Sequence, residues 1–242
     1  MTDVEIKPTV AKRLRVSEIY ISIQGEGPNV GSPVQFVRFA GCNLRCPAWP
    51  CDTPHAIEPS IYIKESRKYG PIELFADLAD WPRALCFTGG EPFLQPRDEM
   101  DKFIKLCSDG RYHIECFTNG TFELPMDLNI RYILDWKLAG SGEALNTTQH
   151  AQRLENVRKF REVDAIKFTV AHEQDLREAV EVWRTIQQIR PGMMPKPQFY
   201  IGAVWDRVSD KDLVEWMLEN DCPWKLNVQL HKHIWPADER GV

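Results

Sequence analysis

The feature that most constrains this chain is an alternation running from residue 84 to residue 229. Short apolar segments of strand length are separated by amphipathic stretches of helical length, and most of the apolar segments end in a polar or glycine-rich group. The pattern predicts strands over 84–88, 113–117, 132–134, 164–170, 198–201 and 225–229, and helices over 97–108, 149–160, 173–189 and 210–219. In the first of these helices Met100, Phe103, Ile104 and Cys107 recur at helical spacing, which marks one face for the core. Upstream, strands are read over 18–23 and 33–39, joined by the irregular turn Gln24-Gly25-Glu26-Gly27-Pro28-Asn29, and a helix around 72–78. Such alternation predicts an α/β fold, a parallel sheet wrapped by helices. The number of units fits an incomplete, TIM-like β/α barrel better than eight full units. Folds of this class build their sites where the strands end.

No linker, repeat or low-complexity tract divides the 242 residues, so a single domain over 1–242 is expected. A formal net charge of -5 and a pI near 5.7 argue against a nucleic-acid-binding protein and for a small ligand. There is no apolar run long enough to span a bilayer, and the polar leader over 1–15 has no signal-peptide stretch. A cytoplasmic protein without membrane association is expected.

The seven cysteines fall into two populations. Cys86, Cys107, Cys116 and Cys222 are isolated in apolar surroundings and read as small buried hydrophobes. Cys42, Cys46 and Cys51 crowd into the loop that follows the strand over 33–39. A local cluster of this kind in a cytosolic chain reads as metal-binding or catalytic. Three thiolates can hold three corners of an iron–sulfur cube and leave the fourth iron open. The alternative is a zinc loop with His55 as fourth ligand, although structural zinc usually takes paired ligand spacings.

With Gly89-Gly90-Glu91-Pro92 after a later strand, the cysteine loop resembles the pattern of radical S-adenosylmethionine enzymes. The resemblance sharpens to the 7-carboxy-7-deazaguanine synthase family. Ile23-Gln24-Gly25-Glu26-Gly27 is similar to that family's substrate loop, Arg38 falls at its carboxylate-binding arginine, Cys51-Asp52-Thr53 matches its magnesium-linked triplet, and Gln229-Leu230-His231-Lys232 resembles its C-terminal signature.

The resemblance implies a radical SAM type partial barrel carrying a [4Fe-4S] cluster on Cys42, Cys46 and Cys51. S-adenosyl-L-methionine would be bound by Asp52, Gly89, Gly90, Glu91, Asn119, Asp135, Trp136 and Lys137, and Mg²⁺ by Thr53. The substrate, a carboxylated tetrahydropterin, would be met by Ile23, Gln24, Gly25, Glu26, Arg38, Thr88 and His231. A homodimer served by an electron donor such as flavodoxin is implied as well, in a 7-deazapurine pathway of the queuosine type. Singly, each of these residues has a plain structural reading: Arg38 as an ion pair, Gln24 and Glu26 as a solvated turn, the glycines as a strand-to-helix turn. Two features depart from the family. Pro47-Ala48-Trp49-Pro50 puts four residues where two are usual, which sets Trp49 one position early, and Ile201-Gly202-Ala203-Val204 lacks a glutamine found in some members. The rival readings are an activating enzyme that makes a glycyl radical on a protein partner, and a zinc-binding interaction protein without catalysis.

Overall fold

The computed structural model describes residues 12–49, 51–190, 192 and 196–242. Most of the polar leader, and Pro50 of the cysteine loop, lie outside these. The chain enters through β1 (Leu14–Ile23), so the last two leader residues are already strand. A 3-10 turn over Gly27–Asn29 leads to β2 (Pro33–Phe39), which returns antiparallel to β1 with Ile23 opposite Pro33. After the cysteine loop come α1 (Pro54–Ile57), α2 (Pro59–Glu65), β3 (Arg67–Tyr69) and α3 (Pro71–Ala76). Each of these three helices opens on proline, whose missing N–H costs nothing in a first turn. The regular part follows: β4 (Ala84–Gly89), α4 (Arg97–Asp109), β5 (His113–Thr118), β6 (Ile130–Trp136), α5 (Thr147–Lys159), β7 (Ala165–Val170), α6 (Glu173–Ile189), β8 (Gln198–Ala203), α7 (Asp210–Glu219), β9 (Lys225–Leu226) and the single turn α8 (His231–Ile234).

The described residues form one nine-stranded sheet in the order β3-β1-β2-β4-β5-β6-β7-β8-β9. From β2 to β9 every neighbour is parallel; β1 and β3 add an antiparallel edge. The sheet is the mostly parallel α/β arrangement that the alternation predicts, a partial barrel left open between β3 and β9. The strand expected over 225–229 is shorter than that reading. Lys225 and Leu226 pair with β8, and Asn227 N still donates to Ile201 O of β8 at 2.7 Å while its side chain serves the turn at Gly27.

Strand alternation sorts the side chains into two faces. One face, with Val37, Phe39, Leu85, Phe87, Ile114, Cys116, Tyr132, Leu134, Ile166, Phe168 and Ile201, packs on the helices as the main core, and Met100, Phe103, Ile104 and Cys107 of α4 meet it as their spacing predicts. The other face is lined near its floor by Val34, Phe36, Cys86, Ile133, Ala165 and Tyr200. Above that floor it carries charge: Arg38, Glu115, Asp135 and Lys167 replace the apolar residues of their strands. Cys86, Cys107 and Cys116 are buried; Cys222 differs from its reading in being only half-buried at the rim of the main core.

Candidate active site at the carboxyl ends of the parallel strands

The cysteine loop and the Gly-Gly-Glu-Pro loop leave adjacent parallel strands and are stitched together by backbone. Gly90 N donates to Phe39 O (2.9 Å) and Glu91 N to Gly41 O (2.8 Å). This stitching explains the glycines: a Cβ on Gly90 would lie 1.9 Å from Gly41 O, and Gly89, at φ +113°, would set one 2.2 Å from Phe39 O. Thr53 adds a third tie, its Oγ1 donating to Gly89 O at 3.1 Å while standing 3.6 Å from Cys51 Sγ.

Within the loop, Cys46 holds φ +46°, and its N–H and that of Arg45 donate to Glu143 Oε2 at 2.9 and 2.6 Å. Leu44 N reaches Cys42 Sγ at 3.4 Å, and Asn119 Nδ2 stands 4.0 Å from the same sulfur. Burial pushes the Cys42 thiol up to about 11 and also raises Cys46, although Lys137 beside Cys46 acts the other way. As placed, no three His, Cys, Asp or Glu side chains among the described residues are drawn together as a metal-binding group.

The residues nevertheless suit a cluster with an amino-acid-like ligand. Three soft sulfur donors share one loop, a half-buried Lys137 stands by to offset thiolate charge, and two buried polar atoms next to them, Asp135 Oδ1 and Arg153 Nη2, have no hydrogen-bond partner among the described residues.

Glu91 is fully buried and accepts from Phe93 N (3.1 Å), Thr118 Oγ1 (2.8 Å) and Asn119 N (2.8 Å). Burial outweighs these bonds and raises its carboxyl to about 7. It therefore fastens the end of β4 to the Thr118-Asn119-Gly120 turn. Asn119 in turn donates to Asn43 Oδ1 (3.0 Å) and accepts from Thr121 N and Oγ1 (3.0 and 2.6 Å).

At the end of β6, burial would raise the Asp135 carboxyl, but Lys137 (2.9 Å) and Lys167 (3.7 Å) win and hold it below the usual range. Trp136 does not join this group. Alternation turns its ring to the helix side, under the Arg153 guanidinium (4.8 Å) and against His150 (5.9 Å), so the Trp136 side chain takes a core position and only its backbone faces the Asp135 group. Trp49, from the lengthened loop, is also buried.

The loop Gln24–27 is clasped from both sides. Gln24 is buried, its Nε2 donating to Glu115 Oε1 and its Oε1 accepting from Glu26 N (3.3 Å). Glu26 pairs with Lys167 Nζ at 3.0 and 2.9 Å and accepts from Asn227 Nδ2 at 3.2 Å, while Asn227 Oδ1 accepts from Gly27 N at 2.7 Å. Gly25 lies against the His231 ring, where a Cβ would meet Nδ1 at 2.2 Å, and its carbonyl accepts from Leu230 N at 3.0 Å. Burial, helped by Lys232 and Lys167, lowers the His231 pKa, so the ring is neutral near pH 7. Ile23 ends β1 beside this loop.

Arg38 and Thr88 stand side by side on β2 and β4. Arg38 Nε donates to Glu18 Oε2 (2.9 Å) and Nη2 to Tyr20 OH (2.7 Å), so the ion-pair reading of this arginine is part of the truth. Asp52 is taken by the C-terminal signature: Oδ1 accepts from Lys232 Nζ (2.7 Å) and Oδ2 from Gln229 Nε2 (3.2 Å).

The structure thus brings together Cys42, Cys46, Cys51, Thr53, Gly89, Gly90, Glu91, Asn119, Asp135 and Lys137 at one mouth, with Gln24, Glu26, Arg38, Thr88 and His231 on the adjoining inner face. Sequence reasoning missed Glu115, Lys167, Asn227, Glu143 and Arg153. Two of them had a signal: Glu115 and Lys167 are lone charges at inward positions of otherwise apolar strands.

No family model matches the chain. Curated relatives do. A 7-carboxy-7-deazaguanine synthase of Koribacter versatilis is 33% identical over 242 residues, covering 95% of this chain and 100% of the relative. Those of Chlorobaculum tepidum and Clostridium acetobutylicum are 32% and 31% identical, covering 95% and 94% of this chain and 97% and 99% of their own. Among solved structures, QueE from Escherichia coli superposes with a TM-score of 0.68 at 23% identity, over 90% of this chain and 95% of that one, which shows a shared fold. Whole-length identity of this degree, on a chain whose two glycine-rich and cysteine-rich loops meet as described, leaves one conclusion: the chain belongs to the 7-carboxy-7-deazaguanine synthase family.

Proposed function

We propose that this enzyme converts 6-carboxy-5,6,7,8-tetrahydropterin to 7-carboxy-7-deazaguanine with release of ammonia, as a radical SAM lyase on the route to queuosine-type 7-deazapurines. The observation that carries the reading is the union of the cysteine loop with the Gly89-Gly90 turn above an inner face set with paired charges. We assign residues 1–242 to one such domain.

Cys42, Cys46 and Cys51 would hold the [4Fe-4S] cluster. When bound, the cluster and S-adenosylmethionine supply one-electron cleavage of the sulfonium bond and hydrogen abstraction from the pterin. The protein's part is binding and exclusion of water. Gly89 and Gly90 leave backbone open to close approach of the methionyl part, and Asp135 Oδ1, buried without a hydrogen-bond partner among the described residues, is an acceptor for a cationic or hydroxyl donor. Lys137 balances charge beside Cys46. Arg38 offers a guanidinium to the substrate carboxylate, Gln24, Glu26 and neutral His231 offer polar edges to the pterin ring, and Thr88 borders them.

Thr53 is a Mg²⁺ ligand in this reading, one hydroxyl in a shell completed by substrate oxygens and water. A homodimer and a reducing partner of the flavodoxin kind complete the proposal, with the protein acting in the cytoplasm. Among the described residues no helix is long and apolar enough to cross a membrane.

The test is anaerobic incubation of the iron-reconstituted protein with the carboxylated pterin, S-adenosylmethionine and a reductant. Formation of 7-carboxy-7-deazaguanine and ammonia is expected. A cluster-loaded protein that cleaves S-adenosylmethionine but leaves the pterin unchanged would sink the substrate assignment.

A further inference from the structure

Glu18, on β1, is the meeting point of three separate stretches of chain. Its Oε2 accepts from Arg38 Nε at 2.9 Å and is hydrogen-bonded to His55 Nε2, in α1, at 3.1 Å. Its Oε1 takes Arg240, near the C-terminus, at 2.9 Å. Two residues on, Tyr20 OH accepts from Arg38 Nη2 at 2.7 Å, and the Tyr20 ring is itself held by stacking on Phe36, centroids 4.9 Å apart at 15°.

Arg38 and Glu18 side chains are only 13% and 16% exposed, so neither contact is a loose surface pair. Burial would raise the Glu18 carboxyl, but His55 and Arg38 dominate and hold it at about 2, charged at neutral pH.

A guanidinium has a fixed fork of donors and can present more than one edge to a carboxylate. With Nε committed to Glu18 and one Nη2 hydrogen to Tyr20, the edge left over is Nη1 with the second Nη2 hydrogen. A long arginine stem that is already held loses less freedom when its ligand arrives.

We propose that Glu18 is the positioning residue for substrate binding: it fixes Arg38 so that the Nη1–Nη2 edge faces the carboxylate of the pterin. This rests on the role given to Arg38 under the proposed function. The acceptor's reach matters more than its charge, which separates this role from a general ion-pair effect. Glu18→Gln keeps an oxygen at the same distance from Nε; Glu18→Asp keeps the charge and withdraws the oxygen; Glu18→Ala removes both.

The experiment measures pterin affinity, KM and kcat in the cluster-loaded variants, with iron content and S-adenosylmethionine affinity as controls. Glu18→Ala and Glu18→Asp should weaken pterin binding and raise KM about five- to twentyfold, with kcat and both controls within about twofold, whereas Glu18→Gln should stay within about threefold of wild type. Arg38→Ala should lose more, and adding Glu18→Ala to it should cost nothing further, since one residue acts through the other. Arg240→Ala, which frees only the tail, should bind the pterin as wild type does.

Wild-type pterin affinity in Glu18→Asp overturns the proposal, and that variant decides the matter if Glu18→Ala does not fold. Full additivity of the Glu18 and Arg38 losses overturns it too, because Glu18 would then act elsewhere. If Arg38→Ala itself binds the pterin normally, the role of Arg38 falls first and the proposal with it, a failure that the single Arg38 variant identifies on its own.

Discussion

Cys42 and Cys46 sit where burial opposes the thiolate form that ligation needs, and Cys51 Sγ lies 3.6 Å from the Thr53 hydroxyl. In the proposed reading a cluster would supply the missing charge compensation, so the three should act as a set. Replacing any of Cys42, Cys46 or Cys51 by alanine is expected to abolish the iron–sulfur absorbance of the anaerobically reconstituted protein. Alanine at Cys107, deep in the core, should keep the iron and lower stability by about 1 kcal/mol or more. An iron-loaded, active Cys51→Ala protein would contradict the ligand set.

Thr53 gives a second prediction at this scale. With one neutral hydroxyl as its main protein ligand, a Mg²⁺ site should be weak alone and tighten with substrate, and by reciprocity Mg²⁺ should tighten the pterin. Turnover after chelation should recover on adding Mg²⁺ in the wild type and respond far less in Thr53→Ala. An identical magnesium response in both proteins would return Thr53 to its structural hydrogen bond with Gly89.

Among the elements, those long enough to show a period were legible. The spans of β2, α6 and α7 agree with the reading residue for residue: the apolar positions of α6 and α7 repeat over several turns, and β2 is an apolar-rich run bounded by turn residues. The strand β3 and the helices α1, α2 and α8 were not, since three to seven residues carry no measurable period and are fixed by tertiary contacts instead. In the site, residue types were readable and pairings were not. Nothing local to Asp52 announces Gln229 and Lys232, and nothing near Glu26 announces Lys167. The turn between β4 and α4 offers a test at this scale. Gly90→Ala would drive a methyl group into Gly41 O, and should destabilise the protein by about 2–4 kcal/mol or push the cysteine loop out of place. Thermal unfolding and iron uptake measure the two outcomes; a variant normal in both would mean that the loops are not pressed together as described.

For the whole molecule, the junction at Glu18 ties β1, α1 and the C-terminal tail, and its depressed carboxyl makes that tie sensitive to acid. A folded pKa of about 2, below the ordinary 4.5, gives stability that is complete above about pH 4.5 and is lost as pH falls toward 2. After allowance for solvent screening the contribution is on the order of 1–2 kcal/mol. The difference in melting temperature between wild type and Glu18→Gln should therefore narrow as pH is lowered through that window. A difference that stays constant from pH 5 to pH 2 would place the stabilisation elsewhere.

The clasp between Asp52 and the pair Gln229 and Lys232 spans 177 and 180 residues of sequence. A ribosome makes the cysteine loop well before its partners. During synthesis the segment after Cys51 therefore waits, unclasped, until residues 229–232 have emerged. A message truncated before codon 229 would yield a product in which Asp52 has neither of these partners.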